Sequence, residues 1–348
     1  MDRTRPAGIL RLANSFCDAK ALLTAVELGL FTALRAGPAS TADICERLRL
    51  HGRGLSDWLE LLTELELLER VDGQYRNSPG TEIYLVRGQD SYIGGFLERS
   101  NRNLYPAWGR LTEALRTGKP QSGSSFDTVI EDARILEQFI NSMDALTRIL
   151  GPQLIETYGE WESHRSVLDL GGCRGSLVSQ IVAANPHMSG AAFDLPQMAP
   201  FFDSNVAARS LTGKVSFHAG NFFTDPLPSA DVVIMGHVLH DWDREQQKFL
   251  VEKVFHSVNP GGTLLVYDRM LDRESSRIEN LVISLDMLLV TDGGSEYTVA
   301  EMREHAEGAG FSKIEDRPLG DADTLVVARK LAEVTEHVVA EPITQCLV

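Results

Sequence analysis

VLDLGGCRGSL, residues 167–177, is an apolar run that ends in Asp169, meets Gly171, Gly172 and Gly175, and opens into a helical pattern. FDLP, residues 193–196, closes a second apolar run on Asp194, twenty-five residues after Asp169. Strand, glycine loop, helix, strand and terminal acid form the front end of a nucleotide-binding βαβ unit. The glycines allow a tight turn and close approach of backbone to ligand, and the acid can accept hydrogen bonds from a ribose diol.

Downstream the same alternation continues. Strand candidates fall at 166–170, 191–193, 215–218, 232–235 and 263–267, each a short apolar run followed by turn residues or a helical pattern. That predicts a doubly wound parallel sheet. Two more strand candidates lie in 308–330, close enough to be antiparallel neighbours. In such a sheet, ligands sit outside the carboxyl ends of the strands. Those ends carry the glycine loop, then Asp194, then Gly220, Asn221 and Phe222, then His237, His240 and Asp241, then Asp268.

Upstream, residues 10–115 read as mostly helical. An amphipathic helix at 19–34 stops at Gly37-Pro38, STAD at 40–43 caps a short helix to 50, and another helix spans 54–67. VDGQYRNSP at 71–79 reads as a hairpin with Asp72-Gly73 at its tip. Helix, turn, helix and small wing is a winged-helix pattern, which invites a DNA-binding reading. The second helix, however, carries Asp57, Glu60, Glu64, Glu66 and Glu69 against Arg53 and Arg70, and phosphate would repel it. A packing or dimerisation module fits better. A net charge of −16 points the same way, away from a nucleic-acid partner. No apolar run reaches the roughly 18–20 residues that a bilayer span needs, and the first residues lack the pattern of a signal peptide. Cys17, Cys45, Cys173 and Cys346 are widely spaced and read as free thiols in a reducing cytoplasm. Boundaries are expected at 1–115 for the helical domain, 116–160 for linker helices, 161–330 for the nucleotide domain and 331–348 for a tail.

The order DLGGCRG, FDLP, AGNFFTDPLP, VLHDW, NPGGTLLVYD and GGSEYT resembles the plant-type small-molecule O-methyltransferases and their bacterial relatives in natural-product pathways. The resemblance covers nearly the whole chain. It implies S-adenosylmethionine as cofactor, a Rossmann-like class I methyltransferase domain, and an N-terminal winged-helix-like domain that forms a homodimer and helps line the pocket. It further implies that Gly171, Gly172 and Gly175 hold the methionine part of the cofactor and that Asp194, with Leu195 beside it, binds the ribose. Asn221 and Phe222 would face the adenine, and Gly236 would border the cofactor. His240 matches the general base, Asp268 and Glu296 the acids that flank it, and Phe139, Met143 and Met287 the substrate-pocket positions. Two departures stand out. Cys173 replaces a loop glycine, leaving Arg174 either on the cofactor's carboxylate or in solvent. Gly236 stands where many plant members carry a lysine.

The chemistry accords with these roles. Methyl transfer from a sulfonium is an in-line displacement, so positioning supplies much of the catalysis. A phenol or enol acceptor benefits from a base, and a histidine steered by a carboxylate suits the task. Asp243 with Gln246 resembles a capping box, which leaves His240 on the loop before the helix. An alternative uses His240, Asp241 and Glu296 as ligands of a divalent metal that favours the enol of an α-keto acid for C-methylation. Plainer readings make Asp169 a loop stabiliser, Asp241 a helix-end charge, His237 a satisfied buried histidine, and Met143 and Met287 core. An NAD-dependent dehydrogenase would require G-x-G-x-x-G where this loop is GGxxG. A catalytically dead regulator is disfavoured by the presence of His240, Asp268 and Glu296 together.

Overall fold

A computed structural model describes residues 5–89, 91–122, 126–272 and 276–332, with backbone only for 126–128. The tail expected at 331–348 lies outside them from residue 333 onward, as does Cys346.

The N-terminal half packs helices Ser15–Leu28, Leu30–Leu34, Thr41–Arg47 and Leu55–Glu64 against a hairpin of β1 (Leu68–Val71) and β2 (Gln74–Asn77). Ala25, Leu30, Phe31, Ile44, Leu59, Leu62 and Tyr75 form its core. The helix expected at 19–34 is two helices. Gly29 takes φ +73°, a left-handed conformation that ends the first one. Ser40 and Asp43 form the anticipated capping box, although the helix stops at Arg47 and not at residue 50. Asp72 and Gly73 both have positive φ, as a tight two-residue hairpin turn demands.

Helices Phe126–Glu131 and Ala133–Tyr158 lead into the second half, and Asp132 caps the longer one by accepting from the N–H groups of Arg134 and Ile135. Seven strands follow: β3 (Ser166–Leu170), β4 (Ser189–Asp194), β5 (Val215–Ala219), β6 (Ala230–Gly236), β7 (Val258–Asp268), β8 (Ser312–Leu319) and β9 (Asp323–Arg329). The order across the sheet is β5-β4-β3-β6-β7-β9-β8, with β8 and β9 antiparallel. The central strands are buried almost end to end, because helices cover both faces. Leu154, Tyr158 and Ile181 pack on one face, and Leu250, Val254, Met302 and Phe311 on the other. Strand β7 runs well beyond the expected 263–267 at its start, pairing Val258 with Ala230 across a register shift. The strand order reverses between β3 and β6, which opens a crevice at their carboxyl ends.

Candidate active site

The glycine loop and the turn after β6 face each other across that crevice. Gly175 has φ +74° and directly precedes helix Ser176–Ala184. Asp194, at the end of β4, accepts from the backbone N–H of Cys173 at 2.7 Å and of Leu195 at 2.7 Å, so each carboxylate oxygen keeps lone-pair capacity for a ligand. Burial pushes the Asp194 carboxyl up to about 6. Burial, with the neighbouring Asp194 charge second, pushes Asp169 up to about 7. Two reluctant carboxylates on one wall favour a cationic ligand, which would let both ionise.

A cavity of about 770 Å³ lies over this wall. Gly171, Gly172, Asp194, Leu195, Asn221, Phe222 and Gly236 line it, as do Phe139 and Met143 from the long helix. Gly175 does not line it; its place is set by the Phe202 ring, 2.6 Å from where a Cβ would stand. Met287, buried in helix Ile278–Val290, is also absent from the wall, where Val290 to Gly293 line the cavity instead. Arg174 does not point to solvent. It pairs with Asp144 at 3.4 Å and donates to Asn141 at 2.8 Å on the long helix. Cys173 sits at φ +51°, a conformation that suits the glycine it replaces.

His240 occupies a single turn, Leu239–Asp241, after β6. Asp243 and Gln246 form the expected capping box of helix Arg244–Ser257. Gln247 donates to the carbonyls of Leu239 and Trp242, clamping the turn from the helix side. Gly294 approaches from the other side, and a Cβ there would lie 2.5 Å from the His240 carbonyl. The Nδ1 edge of the imidazole faces Glu296 Oε1 at 2.7 Å and Asp268 Oδ1 at 3.5 Å. Asp268 Oδ2 accepts from the Tyr297 hydroxyl at 2.5 Å. Burial alone would pull the imidazole down, but Asp268 and Glu296 outweigh it and hold the group up at about 10. The Nε2 edge faces the other way, toward Asp241 at 3.8 Å, and Asp241 lines the cavity while His240 stands just behind its wall. His237 pairs with Asp323 at 2.7 Å and, half-buried, also lines the cavity.

This geometry bears on the metal alternative. Asp241 stands at Nε2 and Glu296 at Nδ1, on opposite edges of one ring. An ion bound through either nitrogen reaches only one of them, so His240, Asp241 and Glu296 do not form a facial set. Among the described residues, His240, Asp268 and Glu296 do bring ligating atoms within 4.8 Å of one another, but both carboxylates are sealed from solvent. A catalytic metal needs a position open to substrate. The cluster suits orientation of the imidazole better.

Several wall residues have no assigned role in the sequence reading: Arg99, Arg102 and Asn103 from the N-terminal half, Val290, and Trp242 and Tyr267, which lie inside quoted motifs. Tyr267 is the register partner of Gly236, and a Cβ on Gly236 would stand 2.0 Å from its ring. The aromatic ring thus takes the space that a longer side chain at 236 would fill.

Comparison with known proteins identifies the family. Residues 108–312 match an O-methyltransferase domain and residues 10–87 an O-methyltransferase dimerisation domain. The chain is 41% identical to the tetracenomycin polyketide synthesis 8-O-methyl transferase TcmO of Streptomyces glaucescens, over 93% of this chain and 97% of that one. It is 37% identical to the N,N-dimethyltransferase OxyT of Streptomyces rimosus, over 92% and 96%. Human N-acetylserotonin methyltransferase, solved in complex with SAM, superposes with a TM-score of 0.86 at 27% identity, over 95% of this chain and 100% of that one. The chain belongs to the O-methyltransferase family and is an S-adenosylmethionine-dependent methyltransferase.

Proposed function

We propose that the enzyme methylates a phenolic or enolic oxygen of a flat, largely apolar intermediate in natural-product, antibiotic-type biosynthesis, with His240 as general base. The observation that carries this is the short Nδ1–Glu296 contact of 2.7 Å with Asp268 at 3.5 Å. In the neutral ring, a proton on Nδ1, donated to Glu296, leaves the Nε2 lone pair for the acceptor hydroxyl. Asp268 and Glu296 orient the ring and favour its protonated form once the hydroxyl proton arrives. Tyr297 in turn holds Asp268.

S-Adenosylmethionine, when bound, supplies the electrophilic methyl group. The residues toward it fit: Asp194 has spare acceptor capacity for the ribose hydroxyls, Gly171 and Gly172 leave backbone room for the methionine part, and Asn221 and Phe222 offer an amide and a ring for adenine. Leu195, Gly175 and Gly236 support that shape. Phe139, Met143, Val129, Ile130 and Trp242 give an apolar wall that suits an aromatic acceptor. A homodimer accords with the dimerisation-domain match and with Ile9, Leu10, Leu12 and Phe16, four large apolar side chains left exposed near the start of the chain. No described helix is long and apolar enough to cross a membrane. The reading places the enzyme in the cytoplasm, with a small-molecule acceptor and no nucleic-acid partner.

The test is mass spectrometry of methyl transfer to a panel of hydroxylated naphthalenes and anthraquinones, with amino analogues included because OxyT is named an N,N-dimethyltransferase. Transfer to oxygen is expected, and His240→Ala should lose about 10²–10⁴-fold in kcat. Transfer to nitrogen or carbon, or full turnover in His240→Ala, would overturn the reading.

A further inference from the structure

Arg99 ends helix Gly94–Arg99, and Arg102 lies three residues on, in the one-turn π-helix Ser100–Leu104 that follows. Such turns are frequent at functional sites because they redirect side chains. Both arginines line the cavity, Arg99 half-buried and Arg102 exposed at the mouth. Arg99 stacks its guanidinium carbon 5.5 Å from the centroid of the Phe139 ring. Among the described residues, neither arginine has a carboxylate within ion-pair distance or a hydrogen-bond partner. The other wall arginine, Arg174, is by contrast spoken for by Asp144 and Asn141.

The charges that Arg99 feels are longer-range. Asp241 is the strongest, then Asp286, while Arg102 opposes it as a like charge. Asp286 is already engaged by the Trp108 indole N–H at 2.6 Å. Enclosure in the wall penalises the cationic guanidinium. Five N–H donors therefore stand in a partly dry cavity without a hydrogen-bond partner among the described residues, and their planar fork suits a carboxylate. Arg99 and Asp241 line the same cavity, and Asp241 stands 3.8 Å from His240 Nε2.

We infer that Arg99, assisted by Arg102 at the mouth, is an anion-recognition site that selects aromatic acceptors bearing a carboxylate near the hydroxyl that receives the methyl group. This rests on the oxygen-methylation reading above and names its substrate class. The aromatic body of the acceptor would lie against Phe139, whose ring already packs under the guanidinium.

The probes are 3-hydroxy-2-naphthoate and its neutral methyl ester, titrated calorimetrically into protein saturated with S-adenosylhomocysteine. The acid should bind about tenfold or more tightly than the ester, the gain of one charge-assisted contact. Arg99→Gln should abolish that preference with unchanged S-adenosylhomocysteine affinity, which shows that the fold is intact. Arg99→Lys should keep part of it, and Arg102→Gln should reduce it less. Equal affinity for acid and ester, a preference that survives Arg99→Gln, or no binding of either below about 1 mM would overturn the assignment. Methyl transfer to the same probes is scored separately. Acid preference without oxygen methylation refutes the function proposed above and leaves the anion site standing, whereas methylation without preference refutes the anion site alone.

Discussion

Replacing Glu296 by Gln tests how the base is held. Glu296 Oε1 lies 2.7 Å from His240 Nδ1, its carboxylate is sealed from solvent, and its Oε2 has no partner among the described residues. The substitution keeps the shape and removes the charge. A charge-assisted hydrogen bond is worth about 1.5–3 kcal/mol, and about 1.4 kcal/mol is a factor of ten in rate. Asp268, at 3.5 Å, retains part of the hold. The expected fall in kcat is therefore about tenfold to hundredfold.

The pH profile separates orientation from damage. In the wild type, Asp268 and Glu296 overcome burial and hold the imidazole up at about 10, so the base is freed only as pH rises and kcat/KM should climb through the alkaline range. With one carboxylate gone, that limb should move to lower pH by about 1–3 units. The same group sets a stability window. A raised imidazole pKa stabilises fully below its ordinary 6.5 and loses that contribution as pH rises through about 10. The melting temperature of the variant should begin to fall at lower pH than that of the wild type. The assay is steady-state transfer across pH with the best acceptor. A kcat within twofold of wild type, or a lower kcat with an unmoved limb, would refute the orienting role.

Cofactor affinity should weaken as pH falls through about 6, because protonating Asp194 removes acceptor capacity for the ribose hydroxyls; a flat S-adenosylhomocysteine titration across that range would place the ribose elsewhere. Gly236→Ala would put a Cβ 2.0 Å from the Tyr267 ring and push that ring into the cavity. Overpacking of this kind costs about 1–3 kcal/mol, so a lower melting temperature and weaker cofactor binding are expected, partly restored by adding Tyr267→Ala. Plasma mass spectrometry of dialysed protein should find no stoichiometric divalent metal, and chelator should leave turnover intact. One metal per chain, lost in His240→Ala, would restore the C-methylation reading with His240, Asp268 and Glu296 as the set to examine.

Much of the site was legible in the chain because it sits at strand ends. Asp169, the glycines and Asp194 are marked by local periodicity, and His240 by its place just ahead of a capping box. Asp268 is marked by its place at a strand end, its role beside the base and Glu296 came through resemblance, and the tertiary fold brings both acids to the same edge of one imidazole. Met287 shows the limit: the resemblance implied a pocket position, and the structure buries the side chain away from the cavity wall. Gly29 shows another, since the apolar pattern runs straight through a residue whose backbone ends the helix.

The sequence by itself determined the alternation of strands and helices, hence the doubly wound sheet and the crevice where its order reverses. These follow from side-chain periodicity and turn chemistry, which are local. It also determined the acidic character of the second helix of the winged-helix-like pattern, with Asp57, Glu60 and Glu64. Only the tertiary structure decided that Tyr267 fills the gap opposite Gly236, that Arg174 is paired while Arg99 has no ion-pair partner among the described residues, and that Asp241 and Glu296 fall on opposite edges of His240. Strand register, the approach of the N-terminal helices and the rotation of a ring depend on contacts between residues far apart in the chain. No spacing along one segment carries that information.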